Sequence, residues 1–225
     1  MIHKYSVMIE NILVLKNYNI LISKHGIPNS NDLINPSLKH VYNDMETVLI
    51  NSAKKFIKNL DQIIVDQKTV ATTQEMFKDH MIECYKHWSA KSRNILYCDL
   101  DVIFLRPCDV FSMNIQDFCM PGTSCGIRYY PHTMRKEVWD LMFKKLDEWD
   151  TDTSHWSYEQ WIYGRMLDLS LSIDDRRMLV KDFHVNQLTF SDFLSNIDNL
   201  HAVHLGSTTD PPKCLDFMKK LADLY

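Results

Sequence analysis

Two aspartates, Asp99 and Asp101, stand inside the otherwise apolar stretch NILYCDLDVIFLRP, residues 94–107. Ile95, Leu96, Tyr97 and Cys98 precede them; Val102, Ile103, Phe104 and Leu105 follow. An unpaired buried carboxylate is costly or shifts its pKa until it is neutral, so something must compensate two of them. Residues two apart on a strand face the same side, which predicts that both carboxylates point together at a strand end. Such a pair repels unless a cation or a proton lies between its members. A divalent ion with a preference for oxygen ligands, Mn2+ or Mg2+, is the natural compensation. The alternative is a structural pair that caps a neighbouring helix or bonds Arg106.

The elements that must position this pair are legible in the periodicity. Val7, Met8, Ile12 and Leu15 give a helical spacing over 5–17, and YNILIS (18–23) reads as a strand. Leu38, Val41, Tyr42, Met45, Leu49, Ala53 and Phe56 predict an amphipathic helix over 38–58. QIIV (62–65) reads as a short buried strand. Thr72 with Glu75 makes a capping box for a helix that buries Phe77, Met81, Tyr85 and Trp88. The aspartate-bearing strand follows and stops at Pro107. CGIRYYP (125–131) reads as the next strand. A helix is predicted over 134–149 with Met134, Val138, Leu141, Met142 and Trp149 inward. A further helix over 158–169, strands at 169–173 and 200–205, and a last helix opened by Pro211 and Pro212 complete the chain. The last helix points Leu215, Met218, Leu221 and Ala222 inward. Strands alternating with helices mean an α/β fold with a mostly parallel central sheet flanked by helices. Such sheets gather ligands at the carboxyl ends of their strands.

The 225 residues, 45% hydrophobic and 24% charged, are enough for a substantial core and favour one domain. A net charge of −4 with scattered Lys and Arg argues against nucleic acid as a partner. The N-terminal stretch is interrupted by Glu10, Lys16 and Asn17, so it offers no transmembrane segment. It also lacks a small-residue cleavage site, and the expectation is a soluble, cytoplasmic protein. The six cysteines form no C-x-x-C pair, which favours reduced, mostly buried thiols over disulfides or zinc.

The segment LYCDLDVIFLRP resembles the Asp-x-Asp segment of nucleotide-sugar-dependent glycosyltransferases with the GT-A fold. In that family a hydrophobic strand ends in Asp-x-Asp, and the motif holds a metal against the diphosphate of the donor. The resemblance spans roughly residues 75–215. It implies a single glycosyltransferase-like domain over 1–225, with 1–107 as the nucleotide-binding half and 108–225 as the sugar and acceptor half. It further implies Mn2+ or Mg2+ as cofactor, a UDP- or GDP-sugar as donor and a glycan or glycoprotein as acceptor. Asp101 is then the direct metal ligand, and Asp99 reaches the metal through water or holds the ribose. Ser124, Cys125 and Gly126 match the small-residue strand that lines the sugar pocket, where glycine lets a ligand approach the backbone. Glu159 and Gln160 match an acidic residue beside Gln near the acceptor. Ser157 with Gln160 also forms a capping box, so the acceptor role goes to Glu159. Glu83 and Lys86 fall where relatives carry a pair that orients the motif.

The same resemblance implies a late His as third metal ligand, then a Gly and a Lys at the diphosphate. HAVHLGSTTDPPK offers His201, His204, Gly206 and Lys213. The histidines are three apart and face opposite sides of a strand. His204, at the strand end beside Gly206, is the expected ligand. An inverting transfer needs a carboxylate base on the acceptor hydroxyl, and Glu159 or Asp192 is the candidate. A competing reading is a Mg2+-dependent phosphatase of the haloacid-dehalogenase type, with Asp99 as nucleophile and Asp174 and Asp175 as the later acidic pair. That family wants Thr or Val where Ile103 stands, and its motif opens the fold instead of following about a hundred residues.

Overall fold

All five residues of NILYC (94–98) are buried, because their strand is covered on both faces. The computed structural model describes residues 18–26, 37–57, 60–69, 73–91, 94–107, 120–121, 126–148, 174–175, 179–206 and 210–225. The elements in chain order are β1 (Tyr18–Gly26), α1 (Lys39–Phe56), β2 (Leu60–Thr69), α2 (Thr73–Lys91), β3 (Asn94–Cys98) and β4 (Val102–Phe104). Then come β5 (Met120–Pro121), β6 (Ile127–Tyr130), α3 (Lys136–Asp147), β7 (Asp174–Asp175) and β8 (Val180–Asp182). A 3-10 turn (Val185–Gln187), α4 (Phe190–Leu194), β9 (Ala202–His204) and α5 (Pro211–Leu224) follow.

The main sheet has the order β2-β1-β3-β6. β1 runs parallel to β2 and β3, and β6 is antiparallel to β3. A second sheet, β4-β9-β8, pairs β9 antiparallel to β4 and parallel to β8. β5 and β7 form a short parallel pair. The fold is therefore α/β with a mixed, mainly parallel sheet flanked by helices.

The period of two along β3 divides the core. Ile95 and Tyr97 join one cluster with Met81 and Cys84 of α2 and Val138, Trp139, Met142 and Leu146 of α3. Leu96 and Cys98 join the other, with α1, β4, β8, β9 and α5. Helix α1 buries Val41, Tyr42, Met45, Leu49 and Ala53 on one stripe, as its spacing predicts.

Several elements differ from the sequence expectation. β2 is long and lies at a sheet edge, so Ile63 and Ile64 are half-buried and Val65 is exposed, instead of forming a short buried strand. In α3 the largest buried side chain is Trp139, stacked on Tyr130 with ring centroids 4.8 Å apart, while Leu141 is only half-buried. In α5 Ala222 is exposed, and Cys214 and Phe217 fill the core with Leu215, Met218 and Leu221. The helices predicted over 5–17 and 158–169, the strand at 169–173 and the Thr72 cap lie outside the described residues. Cys84, Cys98 and Cys214 are buried free thiols, and burial pushes Cys84 up to about 12. Among the described residues no helix is long and apolar enough to cross a membrane.

Candidate metal centre

The chain does not run straight through the two aspartates. β3 ends at Cys98, Asp99 to Asp101 form a turn closed by Val102 N–H donating to the Asp99 carbonyl (3.3 Å), and β4 enters the second sheet. The expected single strand is thus two strands in different sheets. The carboxylates converge because the turn brings them together, not because they share a strand face. The turn is tied at both ends: Asp99 N–H donates to the Gly126 carbonyl (2.8 Å), and Leu205 N–H donates to the Asp101 carbonyl (3.1 Å).

The second sheet supplies the third group. Val102 pairs with His204 across β4 and β9, which brings the imidazole to the turn. His204 Nε2 lies 3.2 Å from Asp101 Oδ1 and 3.7 Å from Asp99 Oδ2. One ligand atom from each of Asp99, Asp101 and His204 lies within 4.8 Å of the others. Ligands on one octahedral ion of bond length near 2.1 Å stand about 3 Å apart when adjacent and about 4.2 Å when opposite. Two carboxylates and one imidazole suit Mn2+ or Mg2+ in donor type, with imidazole favouring the transition metal. The Asp101 side chain is 7% exposed and that of Asp99 30% exposed, so Asp101 is the inner of the two.

The compensation demanded by the buried charges is present on both flanks. Burial raises the Asp99 pKa; Arg128 and His204 oppose that rise, Asp101 adds to it, and a hydrogen bond from Tyr97 opposes it. Arg128 is buried, with its guanidinium 4.6 Å from the Tyr97 ring centroid. The Tyr97 hydroxyl is also 3.0 Å from His80 Nδ1. On the other flank, burial alone would lower His204. The charge and hydrogen bond of Asp101, the hydrogen bond to Asp182 and the charge of Asp99 together hold its pKa well above the usual imidazole range. His204 Nδ1 is 3.0 Å from Asp182 Oδ1.

Other expected site residues have definite places. Gly126 faces the His204 ring, and a Cβ there would lie 2.5 Å from the ring's Cγ. Its lack of a side chain therefore serves a close approach by a histidine, where the sequence suggests approach by a ligand. Gly206 turns the chain after β9 with φ of 55°, in the left-handed region that glycine tolerates. His201 is turned to the backbone: its Nδ1 accepts from Leu179 N–H at 3.0 Å. Burial, then Arg106, lowers its pKa. Arg106 donates to the Asp198 carbonyl and lies over the Tyr225 ring, which leaves no support for its pairing with the aspartates.

Lys213 sits in the first turn of α5, its Nζ over the Phe217 ring. The first four helical positions offer no free backbone donor. Pro211 and Pro212 carry none, Lys213 N–H goes to Asp210 Oδ1 and Cys214 N–H goes to the Asp210 carbonyl. Among the described residues of that helix end, the Lys213 ammonium is the group that could meet an anion. Lys86 is exposed and bonds Glu83 at 3.3 Å, an i,i+3 pair on α2. Asp192 closes the cap of α4: Thr189 hydroxyl donates to Asp192 Oδ2 (2.5 Å) and Asp192 N–H donates to Thr189 Oγ1 (3.2 Å). Ser124, Cys125, Glu159 and Gln160 lie outside the described residues.

Sequence reasoning missed Arg128 and Asp182. Arg128 carried a signal, since an arginine in the apolar strand IRYY needs an anion. Asp182 carried none, because only the β8–β9 register sets it against His204.

No protein-family model and no curated protein matches this chain. Solved structures do. A glycosyltransferase involved in the glycosylation of the major capsid of PBCV-1 is similar with a TM-score of 0.60 at 10% identity, over 91% of this chain and 99% of that one. The apo-form glycosyltransferase GlyE of Streptococcus pneumoniae TIGR4 is similar with a TM-score of 0.53 at 10% identity, over 92% of this chain. The match spans 62% of the GlyE chain. These likenesses are of fold.

Proposed function

We propose that the chain is a metal-dependent glycosyltransferase of the GT-A type, transferring a sugar from a nucleotide-diphosphate sugar to a hydroxyl of a glycan or glycoprotein. The observation that carries this reading is the convergence of Asp99, Asp101 and His204 at the end of a central strand, in a fold shared with glycosyltransferases. Asp101 and His204 would hold Mn2+ or Mg2+ directly, and Asp99 would complete the site through water or bind the ribose. A divalent ion held there supplies Lewis-acid neutralisation of the charge that develops on the diphosphate leaving group.

The chain's own groups would do the rest. Residues 1–107 would carry the nucleotide and 108–225 the sugar and acceptor. The Lys213 ammonium would add positive charge at the leaving group. Gly126 and Gly206 would keep the backbone close to the site. Glu159 is the base we favour for an inverting transfer, since the Asp192 carboxylate is engaged in the α4 cap. Lys86 would reach the donor only by leaving Glu83.

The test is release or transfer of sugar from a panel of UDP- and GDP-sugars with Mn2+ or Mg2+. Turnover is expected to vanish in chelator, to return with metal and to fall about 10³-fold or more in Asp101→Asn. Full activity in chelator would sink the reading. The phosphatase alternative requires a phosphorylated Asp99, so a beryllium fluoride adduct on Asp99 together with phosphomonoester turnover would replace it.

A further inference from the structure

We propose that Asp182 is a positioning residue for His204: it holds the Nδ1–H and so presents Nε2 to the space between Asp99 and Asp101. This rests on reading those three residues as a metal centre. Asp182 and His204 are register partners on the parallel strands β8 and β9, and Phe183 N–H donates to the His204 carbonyl at 2.8 Å. The pairing brings Asp182 Oδ1 to 3.0 Å from Nδ1. An ionised carboxylate only accepts, so Nδ1 must carry the hydrogen, and in a neutral ring the lone pair then sits on Nε2. Nε2 faces two more carboxylates, at 3.2 and 3.7 Å. Without metal, a proton on Nε2 bridges to Asp101; a metal ion in that space takes the proton's place and turns all three into ligands.

Two further features make the orientation specific. Turning the ring over would exchange Nδ1 for Cδ2 and Nε2 for Cε1, losing the bond to Asp182 and removing the donor nitrogen from the aspartates. Gly126 leaves the ring its place: a Cβ there would lie 2.5, 2.6 and 2.8 Å from the ring's Cγ, Cδ2 and Nδ1, so any larger residue would displace it. His201, on the same stretch, has the opposite arrangement. Its Nδ1 accepts from a backbone N–H, so its hydrogen lies on Nε2. The carboxylate partner is what distinguishes the two rings. Metal-ligating histidines elsewhere commonly donate their second N–H to a carboxylate, and losing that partner weakens metal affinity about 10- to 100-fold.

The experiment uses the full chain and Mn2+ alone. Asp182→Ala is expected to raise the Mn2+ dissociation constant about 10- to 100-fold, and Asp182→Asn, which keeps an acceptor oxygen, by less. A second readout needs no variant of Asp182. In ¹⁵N-histidine protein loaded with diamagnetic Zn2+, with the His204 signals assigned by their loss in His204→Gln, the metal is expected on Nε2 and the hydrogen on Nδ1. Metal on Nδ1 of wild type, or Asp182→Ala binding Mn2+ as tightly as wild type, overturns the proposal. If Asp182→Ala fails to fold, the wild-type spectrum decides. Wild type that binds no Mn2+ overturns the metal centre and this inference together. Wild type that binds Mn2+ with metal on Nε2 but transfers no sugar overturns the proposed function and leaves the role of Asp182 standing.

Discussion

The two flanks of the acidic turn are built differently. Behind Asp99 lie Tyr97, Arg128 and His80, buried among the side chains of β3, β6 and α2. Behind His204 lies Asp182, whose side chain is 43% exposed at the rim of the small second sheet. One flank sets a buried positive charge behind a carboxylate; the other bonds the His204 imidazole at the edge of solvent. Failure of the first should cost the fold, and failure of the second should cost the metal.

The largest expected effect is on the Asp99 flank. Arg128→Met keeps a stem against Tyr97 but removes the guanidinium. Removing one member of a close buried charge pair costs about 3–5 kcal/mol. Arg128 acts on Asp99 through Coulombic attraction and Asp99 is partly exposed, which puts this case at or below the lower end. Urea unfolding in chelator should show a loss near 3 kcal/mol, with partial recovery in Arg128→Lys. A loss within 0.5 kcal/mol, the scale of about any neutral surface substitution, would show that the two flanks do not differ.

Gly126→Ala tests the point where the flanks meet. Its carbonyl holds Asp99 and its bare Cα faces the His204 ring, so a methyl group must displace the imidazole or the turn. Overpacking of this kind costs about 1–3 kcal/mol. Mn2+ affinity should fall at the same time. Unchanged affinity by calorimetry would mean that the ring moves without consequence.

On the His204 flank the expected signature is pH dependence. With its folded pKa held above the usual value, His204 contributes stability to the metal-free fold that is fully present below about pH 6.5. That contribution is lost as pH rises through the raised folded value. In chelator, the melting temperature of wild type should therefore drop relative to His204→Gln across that window. Added Mn2+ should abolish the drop, because metal replaces the proton. A flat difference between the two proteins would remove the ion pairing from this flank.

The smallest effect is expected at His201. Losing its bond to Leu179 should cost about 1 kcal/mol in His201→Ala, with Mn2+ affinity unchanged. Weakened metal binding would reverse the assignment of the two histidines.

Local pattern carried a large part of this molecule. The stripe of α1, the start of α5 at a proline pair and the burial around Asp99 and Asp101 follow from residue order, because helix and strand periods are properties of short segments. That two histidines three apart diverge follows from the same geometry, and His201 and His204 do meet different partners. A carboxylate pair in an apolar run announces by itself that a compensating charge exists. Which charges compensate depended on pairing between distant segments. The β3–β6 ladder sets Arg128 opposite Tyr97, where its charge acts on Asp99, and Asp182 reaches His204 from 22 residues away through β8 and β9. The break of the strand at Cys98 was also invisible in the stretch 94–107, since only the second sheet gives residues 102–104 somewhere else to pair. Residue types along a chain set what a segment needs. Strand register, an agreement between segments that no one of them contains, decides which residue meets that need.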